Sequence, residues 1–137
     1  MHLPDPTLHA FRLRPGEDLR EAIQHYAETH SIEAGWIVTC VGSLTEYHLR
    51  FADQDGGDGK RGPVEIVSLV GTVSIHGSHL HMSVADKHGR TTGGHLLEGN
   101  PVYTTAEIVI GESRDVRFVR EVDATTGYRE LVVRPKE

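Results

Sequence analysis

Only one stretch of this 137-residue chain carries a helical period. Leu19, Ala22, Ile23, Tyr26 and Ala27 stand at i, i+3, i+4, i+7 and i+8, an apolar stripe on a helix predicted from about Glu17 to His30. Glu17 and Asp18 at its start and His30 at its end suit the helix dipole. No residue type on that stripe carries chemistry, so the helix is expected only to pack. The remainder falls into strand-length runs rich in Val, Ile and Thr: His9–Leu13, Trp36–Val41, Glu46–Ala52, Val64–Ile75, Val102–Ile110, Val116–Val122 and Tyr128–Arg134. Gly42–Thr45 reads as a turn or bend between the second and third of these, and Gly71 as a bulge or a close approach of backbones. One amphipathic helix packed with a mainly antiparallel β-sheet predicts an α+β fold. With no linker and no repeat, residues 1–137 read as a single domain with its core at about residues 9–134.

Charge narrows the function. Fourteen basic and 20 acidic residues give a net charge of -6, and a field of that sign repels phosphate backbones. No basic run offsets it. The single cysteine, Cys40, excludes an internal disulfide, and its neighbours Ile37, Val38 and Val41 mark a buried, inert thiol. Met1–Pro6 lacks the charged and apolar regions of a signal peptide, and no apolar run approaches the roughly 20 residues needed to span a bilayer. A soluble cytoplasmic protein is the simplest expectation, with no membrane partner.

The chemistry concentrates in one place. In the run Gly77-Ser78-His79-Leu80-His81-Met82-Ser83-Val84, an extended strand puts His79, His81 and Ser83 on one face and Leu80, Met82 and Val84 on the other. Two imidazoles two residues apart, roughly 7 Å along a strand, can both reach one metal ion. Asp86-Lys87-His88-Gly89-Arg90 reads as a turn that returns the chain so that His95, after Gly93-Gly94, approaches the same point. Zinc, nickel, copper and non-haem iron all accept neutral imidazole, and three ligands leave a position open for water or substrate. His79, His81 and His95 are therefore the candidate ligands of a divalent metal, zinc first. Glu107, a charge in the apolar run Ala106–Ile110, is a candidate fourth ligand, imidazole acceptor or general base, or else a partner in a salt bridge between subunits. Asp86 is a second candidate for handling protons. His2, His9, His25, His30, His48 and His88 are assigned to surface or partly buried positions, and the direction of His76 depends on the backbone at Gly77-Ser78. The acid-glycine segment Asp53–Gly62 lacks the glutamate of an EF-hand and reads as a solvated hairpin loop.

The block from Gly77 to Asp86, followed by Gly89, Gly93-Gly94-His95-Leu96, Gly99 and Thr105-Ala106-Glu107-Ile108, resembles the PPC domain (plant and prokaryote conserved). Arg14–Asp18, Val41–Leu44 and Leu49-Arg50 agree with it, so the resemblance runs from about Phe11 to Gly111. It implies an α+β fold, a homotrimer and, for stand-alone prokaryotic members, a metal at the three histidines. Plant members follow AT-hook segments in nuclear DNA-binding proteins, and prokaryotic members carry a DNA-binding label through that kinship. Here there is no Arg-Gly-Arg-Pro hook and the charge is negative, which argues against direct DNA contact.

Three functions compete on these residues. The first is a homo-oligomeric, regulatory module whose subunit-interface cleft holds a metal or small-molecule ligand at His79, His81 and His95. The second is a metal-dependent enzyme of unspecified reaction using the same ion. The third, direct DNA binding, predicts affinity that falls steeply with salt. A cupin is the nearest alternative motif, because four residues separate His81 from Asp86 and six more precede Gly93. A cupin wants Glu rather than Asp there, and its second motif is missing.

Overall fold

In the computed structural model, which describes residues 1–137, eight strands and one helix follow the order β1 (Thr7–Leu13), α1 (Leu19–Thr29), β2 (Gly35–Arg50), β3 (Asp58–Val73), β4 (His79–Ala85), β5 (Thr91–Leu96), β6 (Val102–Glu112), β7 (Val116–Val122) and β8 (Arg129–Pro135). Six strands form one antiparallel sheet in the order β1-β6-β2-β3-β4-β5, and β7 and β8 pair as a separate ribbon. The fold is α+β, as the single helical stripe predicts.

The helix begins where an Asp can cap it. Asp18 is extended, and its carboxylate accepts the backbone N–H of Glu21 at 3.0 Å. Leu19, Ile23 and Ala27 are fully buried against the inner face of the sheet, in a core shared with Ile32, Leu44 and Leu49. Burying each of the larger side chains contributes about 1.5–3 kcal/mol.

One expectation is corrected. Gly42–Thr45 is not a turn: β2 runs through it from Gly35 to Arg50, absorbing the irregularity as breaks in register opposite β3 and β6. Gly42 serves proximity instead, since a Cβ there would lie 2.1 Å from the Thr105 carbonyl oxygen of β6. Gly71 does the same on β3, where a Cβ would stand 1.9 Å from the carbonyl oxygen of His79. The long β2 matters for the site. Its last residues reach β5, pairing Leu49 with Leu96 and Arg50 with His95, so the sheet curls back on itself at that corner.

The outer face of the sheet is uncovered. Val38 and Val41 of β2 and Val67 and Val70 of β3 are each more than half exposed there. Cys40 faces the other way and is buried, which pushes its thiol up to about 12. No helix is long and apolar enough to cross a membrane.

Candidate metal centre

Register builds the site. β4 alternates as the sequence predicts, with Leu80, Met82 and Val84 buried and His79 and His81 exposed. The Asp86 turn closes through Gly89 N–H to Asp86 C=O, and the Asp86 carboxylate accepts the N–H groups of His88 and Arg90. The returning strand then sets His95 directly opposite His81. Because β5 also pairs with the end of β2, Arg50, His95, His81 and Val70 form one row across four strands, and His79 stands opposite Thr72. His95 thus meets the two earlier histidines through backbone pairing.

The rings lean together more than an ideal strand requires. The His79 and His81 ring centres are 4.9 Å apart, and that of His95 is 5.4 Å from His79 and 5.8 Å from His81. One nitrogen from each ring falls within 4.8 Å of the others. The Nε2 atoms of His79 and His81 are 3.2 Å apart. Two imidazole nitrogens bound to one tetrahedral zinc at ordinary bond lengths stand about 3.3–3.4 Å apart. The His79–His81 pair matches that spacing, and with His95 the cluster could hold a small divalent cation.

Electrostatics disfavour the charged form of two of the rings, His79 and His95. Burial lowers the pKa of His79, with His81 and Arg120 adding repulsion against its charged form. Burial beside Arg50 pushes His95 down to about 4. A neutral ring offers its lone pair to a cation without first losing a proton.

The other candidates lie elsewhere in the chain. Glu107 is exposed on the outer face of β6, in register with Val41 of β2 and Arg12 of β1, and is not among the clustered groups. Asp86 is at the far end of β4, where its two backbone hydrogen bonds hold its carboxyl below the usual range. His76 turns to Glu33, Nε2 to Oε2 at 2.8 Å, and helps to lower that carboxylate's pKa. His9 takes the partly buried alternative: its side chain is 12% exposed, between the buried Glu112 and the hydroxyl of Tyr26.

Several residues that sequence reasoning passed over hold the site in place. Helix α1 braces both of its strands: Arg20 Nε donates to the carbonyl of Leu96, and Gln24 bonds the carbonyl of Ser74 and the hydroxyl of Ser78. Asn100, fully buried, accepts the N–H of His48 and donates to the carbonyls of His48 and Leu97, which locks the end of β2 to the end of β5. Its own N–H goes to Asp18, the helix cap. The β7–β8 ribbon contributes Arg120, Tyr128, Arg129 and Glu130 to a cleft of about 490 Å³ beside His79 and His95. Only the Gly99-Asn100-Pro101 turn and the helix-start aspartate gave any signal of this in the sequence.

The model of the Plants and Prokaryotes Conserved (PCC) domain matches residues 4–114. The chain belongs to this family. Among curated proteins it is similar to the bifunctional protein GlmU of Synechococcus sp. (strain JA-2-3B'a(2-13)), 43% identical over 128 residues that make up 93% of this chain and 20% of that protein. The chain spans about a fifth of the length of the curated relatives it matches. Among solved structures, a hypothetical protein from Salmonella cholerae-suis is similar with a TM-score of 0.95 at 37% identity, covering 99% of this chain and all of that one. A metal-containing protein from Archaeoglobus fulgidus is similar with a TM-score of 0.79 at 25% identity, covering 96% of each chain. The β7–β8 ribbon of this PCC domain lies beyond the segment matched by the family model.

Proposed function

We propose that this PCC domain is a homo-oligomeric binding module in which His79, His81 and His95 hold a divalent metal ion, zinc in the first instance, at a cleft between subunits. The observation that carries the reading is the meeting of three imidazoles with two Nε2 atoms 3.2 Å apart. The description of the Archaeoglobus relative as metal-containing supports it. Three protein ligands leave one position of a tetrahedral ion open, which suits a site that takes a ligand. The ion would supply positive charge and a coordination position. The chain supplies a rigid frame in which β4, β5, Asn100 and helix α1 fix the rings.

Assembly is supported by the uncovered face. Val38, Val41, Val67 and Val70 lie on the same side of the sheet as His79 and His81, and a contiguous apolar surface beside a site marks an interaction surface. A homotrimer, the number expected from the family, would cover those valines and enclose the histidines. Glu107, beside Val41, would then face a neighbouring subunit.

Two measurements test the proposal. Competition against a chromogenic chelator is expected to give zinc affinity that falls by about a hundredfold or more in His95→Ala, since a ligand matters at least as much as its hydrogen-bonding supports. Light scattering is expected to give a trimer for the wild type and a monomer for Val41→Glu. Equal zinc affinity in the wild type and His95→Ala would refute the metal site, and a monomeric wild type would refute the assembly.

A further inference from the structure

The cleft beside the histidines has a charge that composition does not explain. Arg50 from β2 and Arg120 and Arg129 from the β7–β8 ribbon all line it. None of the three forms a salt bridge, although Arg61, Arg114, Arg134 and Lys136 each find a carboxylate. In a chain with 20 acidic residues and 14 basic ones, three unpaired guanidinium groups in one cleft run against the average. Glu130 is the one carboxylate among the lining side chains, and it accepts a hydrogen bond from Thr126.

The three arginines differ in what holds them. Arg120 is half-buried and donates from Nη2 to the hydroxyl of Thr72, the residue opposite His79. Arg129 donates from Nη1 to the Arg120 carbonyl, tying the ribbon's two strands together above the cleft. Arg50 ends the row that contains His95 and His81, and its guanidinium makes no hydrogen bond within the chain. Each keeps free donors. A guanidinium presents a planar fork that matches the two oxygens of a carboxylate or phosphate.

We infer that this cleft binds a small molecule through an oxyanionic group, carboxylate or phosphate, held by Arg50, Arg120 and Arg129 beside the three-histidine site. The volume of about 490 Å³ suits a metabolite rather than a polymer. A metal ion bound at the histidines would add a second attraction for the anion. That last contribution rests on the proposed metal site, whereas the arginine part stands without it. The β7–β8 ribbon thereby becomes a recognition element, although it lies outside the segment matched by the family model.

The test is calorimetry with inorganic phosphate and with malonate, each titrated into zinc-loaded and chelator-stripped protein, with glycerol as the neutral control. Zinc content is measured on every sample. Saturable binding of at least one anion, weakened about tenfold or more in both Arg50→Gln and Arg120→Gln at unchanged zinc content, is the expected result. The tighter anion identifies the group the cleft prefers. Arg50→Gln is the decisive variant because no fold contact depends on that guanidinium, while near-ultraviolet circular dichroism checks the ribbon in Arg120→Gln. No saturable binding at millimolar anion, or unchanged binding in Arg50→Gln, overturns the inference. If the wild type holds no zinc, the metal proposal fails separately, and the stripped-protein titrations still decide: arginine-dependent binding upholds the anion site and its absence overturns it.

Discussion

The β4–β5 hairpin has two ends, and both collect basic and imidazole side chains. At one end His79, His81 and His95 lie beneath Arg50, Arg120 and Arg129. At the other, Lys60, Arg61, Lys87, His88 and Arg90 gather around a cleft of about 630 Å³ at the Asp86 turn. The turn end has more formal charge, yet its cations are exposed and Arg61 leans on Glu46. There, solvent screens each charge. At the histidine end the rings are partly desolvated and fixed by backbone pairing on both sides. Convergence of three rings on one point, rather than the number of charges, distinguishes the histidine end.

The largest effect that separates the ends is steric. Gly71→Val is expected to destroy the β3–β4 pairing, because a Cβ would meet the His79 carbonyl oxygen at 1.9 Å. A loss above about 4 kcal/mol, or failure to fold, should appear in urea unfolding. Gly89→Ala at the turn end meets nothing within 4 Å and has only its φ of +76° to overcome. It should cost about 1–2 kcal/mol. Equal losses would mean that the two ends are equally tightly built.

Ligand-linked stability comes next. Zinc at a hundredfold excess over its dissociation constant is expected to raise unfolding stability by about 2.7 kcal/mol. The gain should vanish in His79→Ala and persist in His88→Ala. A zinc response that survives His79→Ala would place the ion elsewhere.

Acid should loosen the two ends unequally. Glu33 is lowered first by its hydrogen bond from His76 and also by Lys136, and its backbone carbonyl receives the N–H of Phe118 on the β7–β8 ribbon. Its folded value lies below the unfolded one, so its stabilisation is full above about pH 4.5 and is lost as pH falls through the folded value. Glu33→Gln should flatten that acid limb in unfolding midpoints measured between pH 3 and 6, whereas an unchanged limb would remove Glu33 from the account. Asp86 is lowered in the same direction by backbone N–H groups but lies at a partly exposed turn. Asp86→Asn should give the smallest change of the set, visible only in the same pH window.

The legible parts of the molecule were those set by local periodicity. The stripe from Leu19 to Ala27 became α1, the alternation from His79 to Val84 became β4, and the polar turn at Asp86–Arg90 brought His95 back opposite His81. Gly71 was readable as a close approach because a glycine inside a Val-rich strand has few other uses. What escaped depends on long-range closure. Nothing near Arg50 in the sequence says that it will pair with His95, and nothing near Arg120 says that it will reach Thr72. Gly42-Ser43 looked like a turn because its local composition is that of one, and only contact with β6 and β3 makes it strand. Helix α1 seemed inert because only its apolar stripe was informative, while Arg20 and Gln24 on its flanks brace the histidine strands.

The central claim is that the histidine end, and not the turn end, holds an ion. Elemental analysis of protein purified without an affinity tag, in wild type, His81→Ala and His88→Ala, tests it most directly. The account predicts one divalent ion per chain in the wild type and in His88→Ala, and none in His81→Ala. A wild type without stoichiometric metal, or a His81→Ala variant that retains it in full, would contradict the account.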